Sequence, residues 1–179
     1  EGFVDVTNAA LPATPIVHTV PGAATPGTYN GTLTVRNSTT GCVSTTYAVT
    51  VTIDTEPTIT LGTNPSVCEG ATTADLPYTS TTGSPDQYSI DYDLTAEGEG
   101  FVDVTNAALP ATPIVHTVPG AATPGTYNGT LTVRNSTTGC VSTTYAVTVT
   151  VDTEPTITLG TNPSVCEGTT TADLGYSAT

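Results

Sequence analysis

The stretch Gly27-Thr-Tyr-Asn-Gly-Thr-Leu-Thr-Val-Arg36, resumed after a polar turn by Thr46-Tyr-Ala-Val-Thr-Val-Thr-Ile53, decides the fold. Tyr29, Leu33 and Val35 fall on one face, with Gly31 in the gap, while Thr28, Asn30, Thr32, Thr34 and Arg36 fall on the other. The second run places Tyr47, Val49, Val51 and Ile53 against Thr46, Ala48, Thr50 and Thr52. Side chains of a strand alternate between faces, so this period of two predicts a hairpin with one buried and one wet face. A helix needs apolar residues three and four apart, and a run this rich in Thr and Val disfavours one.

The hairpin returns as Gly125 to Val151, because residues 1–81 match 99–179 at an offset of 98. Five positions differ: Ile53/Val151, Ala71/Thr169, Pro77/Gly175, Thr79/Ser177 and Ser80/Ala178. Near-identity over a whole period is the mark of a tandem module. One period plus 81 residues is not a whole number of modules, so we expect a window on a longer array. Asp54-Thr55-Glu56-Pro57 and its copy Asp152–Pro155 carry charge and a Pro after the longest strand, which suits a short, stiff junction. On that reading, 1–55 is the C-terminal part of a preceding repeat, 57–154 is one complete repeat, and 155–179 holds the opening strands of the next.

Within 57–154 the expected strands contain Ile59 and Leu61; Ala74, Leu76 and Tyr78; Tyr88, Ile90, Tyr92 and Leu94; Phe101 to Val104; Ile114 to Val118; and the Tyr127 and Tyr145 hairpin. Seven short strands separated by Pro and Gly turns predict an all-β, antiparallel sandwich, and no stretch offers a convincing helix.

Composition narrows the function. Roughly a quarter of the chain is Thr, there is no Trp, Met or Lys, and Phe occurs at positions 3 and 101 alone. Sixteen acidic residues face Arg36 and Arg134, a formal charge of −14. Such a surface repels phosphates and anionic lipid, so nucleic acid is not an expected partner. No apolar run approaches the roughly 20 residues of a membrane span, so direct membrane insertion is not expected either.

Gly-Thr-Tyr at 125–127 entering a long strand, Asn-Ser-Thr-Thr-Gly-Cys at 135–140, Val-Cys-Glu-Gly at 67–70 and Pro-Asp-Gln-Tyr-Ser-Ile-Asp at 85–91 resemble PKD-like, immunoglobulin-like repeats. Repeats of this kind occur in very large Bacteroidetes surface proteins, including gliding-motility adhesins. The resemblance covers the whole period, and its motifs are turn and strand signatures without catalytic content. It implies immunoglobulin-like sandwiches in tandem within a secreted, cell-surface protein, acting mainly as spacers. It also implies that Tyr127 and Tyr29 form tyrosine corners with nearby backbone.

Candidate sites are few. Of the four cysteines, Cys68 and Cys140 lie within one repeat, and joining them would close a loop worth on the order of 4 kcal/mol. A strict immunoglobulin topology sets them at opposite ends, and then bridges between consecutive repeats become the alternative. Cys42 and Cys166 would have partners outside the window. Asp91, Asp93, Glu97 and Glu99 gather with Asp86 as candidate calcium ligands, although the spacing is not that of an EF-hand and a solvated outer face reads better. Asn30, Asn37, Asn128 and Asn135 satisfy the N-glycosylation pattern. His18 and His116 sit in short strands without a neighbouring nucleophile motif and read as partly exposed strand residues, not catalytic ones.

The expected function is therefore non-enzymatic, with no cofactor: a structural repeat of an extracellular stalk or filament, contacting neighbouring repeats and other copies. The alternatives are a glycan- or protein-binding adhesin module, with or without calcium, and a fibre subunit whose 155–179 strands complete a neighbour.

Overall fold

The structure, a computed structural model, describes residues 1–178. Its regular structure is almost wholly strand: β1 (Gly27–Leu33), β2 (Tyr47–Ile53), β3 (Thr58–Leu61), β4 (Ser66–Cys68), β5 (Thr73–Leu76), β6 (Tyr78–Thr82), β7 (Gln87–Tyr92), β8 (Val104–Ala108), β9 (Ile114–Thr117), β10 (Gly125–Arg134), β11 (Tyr145–Asp152), β12 (Ile157–Leu159) and β13 (Tyr176–Ala178). Among the described residues one short helix, α1 (Leu94–Gly98), interrupts them.

The alternating hairpin forms twice, in the same register. Gly27 faces Ile53 in β1–β2, and Gly125 faces Val151 in β10–β11. The second copy is widened into a five-stranded sheet, β4-β11-β10-β7-β8, in which β4 runs parallel to β11 and every other neighbour is antiparallel. Two further pairs, β3–β6 and β5–β9, complete the set. Pro77 separates β5 from β6, and at that point the chain changes partner from β9 to β3. A proline cannot donate to a ladder, so it marks the crossing. Its carbonyl still accepts from Gly62 N at 2.7 Å.

All sheets between 57 and 152 contribute to one apolar core. Ile59, Leu76, Ile90, Ile114, Leu131, Val133, Val147 and Val149 are buried in it, with Tyr92, Phe101 and Tyr127 stacked alongside at ring separations of 5.1 and 4.8 Å. The inward positions expected from the alternation of the second hairpin are the buried ones. The buried residues of the described chain run from Pro57 to Val151, and none lies in 1–56 or 152–178.

Among the described residues the first hairpin has no strand beside it other than its partner, and its apolar face borders an open groove lined by Phe3, Leu11, Ile16, Leu33, Val49 and Val51. Local contacts nevertheless recur. Tyr29 donates to the Thr25 carbonyl at 2.6 Å and Tyr127 to the Thr123 carbonyl at 2.5 Å, the backbone bond expected of each tyrosine. Phe3 packs on Tyr29 as Phe101 packs on Tyr127, both at 4.8 Å.

Two expectations are corrected. The strand through Tyr88, Ile90 and Tyr92 stops there, because Asp93 caps a helix; Leu94 is 86% exposed and not inward. The helix went unseen because five residues are too few to show a 3.6-residue period. The segment 66–68 was not expected as a strand, and it contributes the parallel edge.

The two ends of the folded unit are well defined. The chain comes in at Pro57, against Gly83 (φ +66°), where an added Cβ would lie 2.8 Å from Pro57 Cα. Asn135 Nδ2 donates to the Gly83 carbonyl at 3.0 Å, fixing the β10–β11 loop at that same end. The chain leaves through Asp152, which is paired with Cys68.

Because the two hairpins differ in burial and hardly in sequence, equivalent substitutions should differ in cost. Leu131→Ala is expected to cost about 2–5 kcal/mol, and Leu33→Ala less than about 0.5 kcal/mol, in urea unfolding followed by tyrosine fluorescence.

Candidate functional site

The acidic cluster forms where β7 gives way to α1. Asp93 caps the helix, its Oδ1 accepting from Thr95 N at 3.0 Å and Ala96 N at 2.9 Å, while Oδ2 accepts from Asn128 Nδ2 at 3.3 Å. The Ala96 N–H above all holds the Asp93 carboxyl below its usual range. Glu99 accepts from Thr123 N at 3.1 Å and Thr123 Oγ1 at 3.2 Å, tying the helix exit to the loop ahead of β10. Both carboxylates are therefore engaged by backbone and side-chain donors of the fold, and among the described residues Asp93 and Glu99 do not join Asp91 and Glu97 in one convergent group.

What does converge is Asp91 at the end of β7, Glu97 on α1, and Asp103 ahead of β8. One oxygen from each lies within 4.8 Å of the others, and all three residues are exposed. Asp103 was missed from the sequence because it sits 12 residues beyond Asp91; it is held there by accepting from Tyr92 N at 2.9 Å. Among the described residues this is the one group of three His, Cys, Asp or Glu that could hold a metal ion. Three carboxylates offer at most six oxygens, the lower bound of a calcium shell, and all lie on the solvent side. Beside them runs a shallow depression of about 400 Å³ lined by Ser89, Asp91, Asp103, Thr105, Thr130 and Thr132 among others.

His116 corrects a further expectation: it is buried, at 1% exposure, and not a partly exposed strand residue. The alternation of β9 sends Ile114 and His116 inward and Val115 outward. His116 Nδ1 and the Tyr92 hydroxyl are hydrogen-bonded at 2.6 Å, and Nε2 is buried with no hydrogen-bond partner. Burial lowers the His116 pKa and raises that of Tyr92. The pair is buried in the core. Its chemistry is that of a polar clamp in the core.

The cysteines do not pair within the repeat. All four are free thiols, with Cys42, Cys68 and Cys166 exposed and Cys140 partly so. Cys68 lies opposite Asp152 at the far end of β11, whereas Cys140 precedes that strand. The eight residues of β11 alone span about 23 Å, against the 4.4–6.8 Å between Cα atoms that a disulfide allows.

The sequons are also divided. Asn30, Asn37 and Asn128 are exposed, but Asn128 Nδ2 is engaged with Asp93. Asn135 uses Oδ1 to accept from Thr137 N and Thr138 N, and Nδ2 to donate to Gly83, so a glycan there would break the contact that fixes the loop.

The chain matches no family model, and no curated protein matches it. No helix among the described residues is long and apolar enough to cross a membrane.

Two measurements follow. A histidine whose folded pKa is depressed takes up a proton first in the unfolded chain, which titrates near ~6.5. Stability should therefore be full above that pH and fall as pH drops below it; His116→Gln is expected to flatten this slope in urea titrations between about pH 7 and 4. Asp91→Asn, which relieves the repulsion among the three carboxylates, should raise the unfolding temperature in low salt. That gain should fade near ~1 M salt, where the screening length is about 3 Å.

Proposed function

We propose that this chain is a run of immunoglobulin-like β-sandwich repeats from a large extracellular surface protein, and that the repeats are non-enzymatic beads providing reach. The observation that carries the reading is the confinement of burial to Pro57–Val151, one core per 98-residue period. Residues 57–154 are then one complete repeat, with 1–55 and 155–179 belonging to its neighbours.

The strand order supports the sandwich. β4-β11-β10-β7-β8 has the order of the sheet that carries the last strands of an immunoglobulin domain, with the first strand split so that its second half runs parallel to the last. β3–β6 and β5–β9 supply the opposing layer, and Tyr127 supplies the corner. Near-identical repeats suit a spacer, since one interface serves every junction. The PKD-like resemblance and the acidic surface suit a secreted filament kept soluble at high local density. Partners in this reading are neighbouring repeats and other copies of the filament.

Electron microscopy of the full-length protein after rotary shadowing tests the proposal. It should show a thread whose contour length grows by one bead, about 4 nm, per 98 residues, given strands of up to ten residues at ~3.3 Å each plus a junction. A compact particle with no beaded extension would refute it.

A further inference from the structure

Each repeat carries two thiols, and the fold sends them to opposite ends. Cys140 sits in the β10–β11 loop, where its carbonyl accepts from Asn135 N, and Asn135 in turn is bonded to Gly83 against Pro57. That is the end at which the chain comes in. Cys68 ends β4 against Asp152, and the Asp152 carbonyl accepts from Glu69 N at 2.8 Å. That is the end at which the chain goes out. Three residue steps separate Asp152 from Pro155, the counterpart of Pro57. They span no more than about 11 Å. In a head-to-tail array the outgoing end of one repeat is therefore held against the incoming end of the next.

We propose that Cys68 of each repeat forms a disulfide with the Cys140 counterpart of the repeat that follows it, so that the array is cross-linked along its length. The inference rests on the tandem-bead reading above. It uses one thiol from each end and leaves none over in the interior of an array. It also accounts for the four free thiols here. The partner of Cys68 would stand 98 positions beyond Cys140, that of Cys140 98 positions before Cys68, and those of Cys42 and Cys166 likewise fall outside residues 1–179. Formation is a thiol–disulfide exchange: the two thiols give up two protons and two electrons to a disulfide donor, which passes through a mixed disulfide and leaves as a dithiol. An extracellular setting supplies such donors.

The cross-link changes the mechanics. From Cys140 the backbone needs 26 residues to reach Cys166, the outgoing thiol of the next repeat, which is bridged to the repeat beyond. The shortest covalent route thus crosses two repeats for every 26 residues, about 86 Å at ~3.3 Å each. That is close to the folded length of two beads. Unfolding can release almost no chain.

Single-molecule stretching of the full-length protein, with and without a reducing agent, tests this. Under reducing conditions the expected trace is a series of steps each releasing 98 residues, about 30 nm. Without the reductant those steps should vanish. Steps of 98 residues in both conditions would overturn the cross-link. Steps less than a third as long without the reductant would overturn it too, since they report a bridge from Cys68 to Cys140 inside one repeat. A reduced protein with no regular 98-residue steps would instead refute the tandem-bead reading itself.

Discussion

An amphipathic hairpin cannot stand alone. Its inner face must be covered, and two strands with nothing against them are marginal in water at best. The sequence presents this constraint twice. In β10–β11, Leu131, Val133, Val147 and Val149 are flanked by Ile90 of the neighbouring β7 and share one buried core with Ile59, Leu76 and Ile114 from β3, β5 and β9. In β1–β2 the same residue types, in the same register, line an open groove. Local preference draws the hairpin; nonlocal apolar partners decide whether it is buried. Everything else in the repeat is arranged around that closure, including the partner change at Pro77 and the packing of Phe101 and Tyr92 beside Tyr127.

The polar residues sort by what the closure demands of them. Asp93 and Glu99 look like cation ligands in a linear reading, yet each satisfies backbone N–H groups at a helix start or a loop. His116 enters the core because its strand has a period of two and its position is even with Ile114, and Tyr92 gives its ring nitrogen a partner. A buried polar group that finds a partner is tolerated, and burial of the ring, which disfavours its charged form, is what couples stability to pH.

The hairpin was legible from sequence because period-two alternation over seven or more residues is a strong signal, and the all-β class followed from it. The single-turn helix was not, since capping by Asp93 leaves no periodic trace. The burial of His116 was hidden because histidine carries no hydropathic bias toward either face, and the strand is only four residues long. The acidic group was half legible: Asp91 and Glu97 are near in sequence, while Asp103 joins them through a backbone bond from Tyr92 that no spacing rule anticipates. The separation of Cys68 from Cys140 follows from the parallel placing of β4 beside the end of β11, a nonlocal pairing.

Arg134 and Arg36 are the only basic side chains other than histidine, one per period, and lysine is absent. A protease that cuts after Lys or Arg therefore has a single target in the folded repeat, the Arg134–Asn135 bond. Its carbonyl side accepts from Asp86 N at 3.0 Å and its amide side donates to the Cys140 carbonyl at 3.0 Å. A cleft that must draw its substrate out as a free extended segment would have to strip both contacts first. Cleavage by a trypsin-like protease therefore has to wait for local opening of the β10–β11 loop, and the folded repeat resists it.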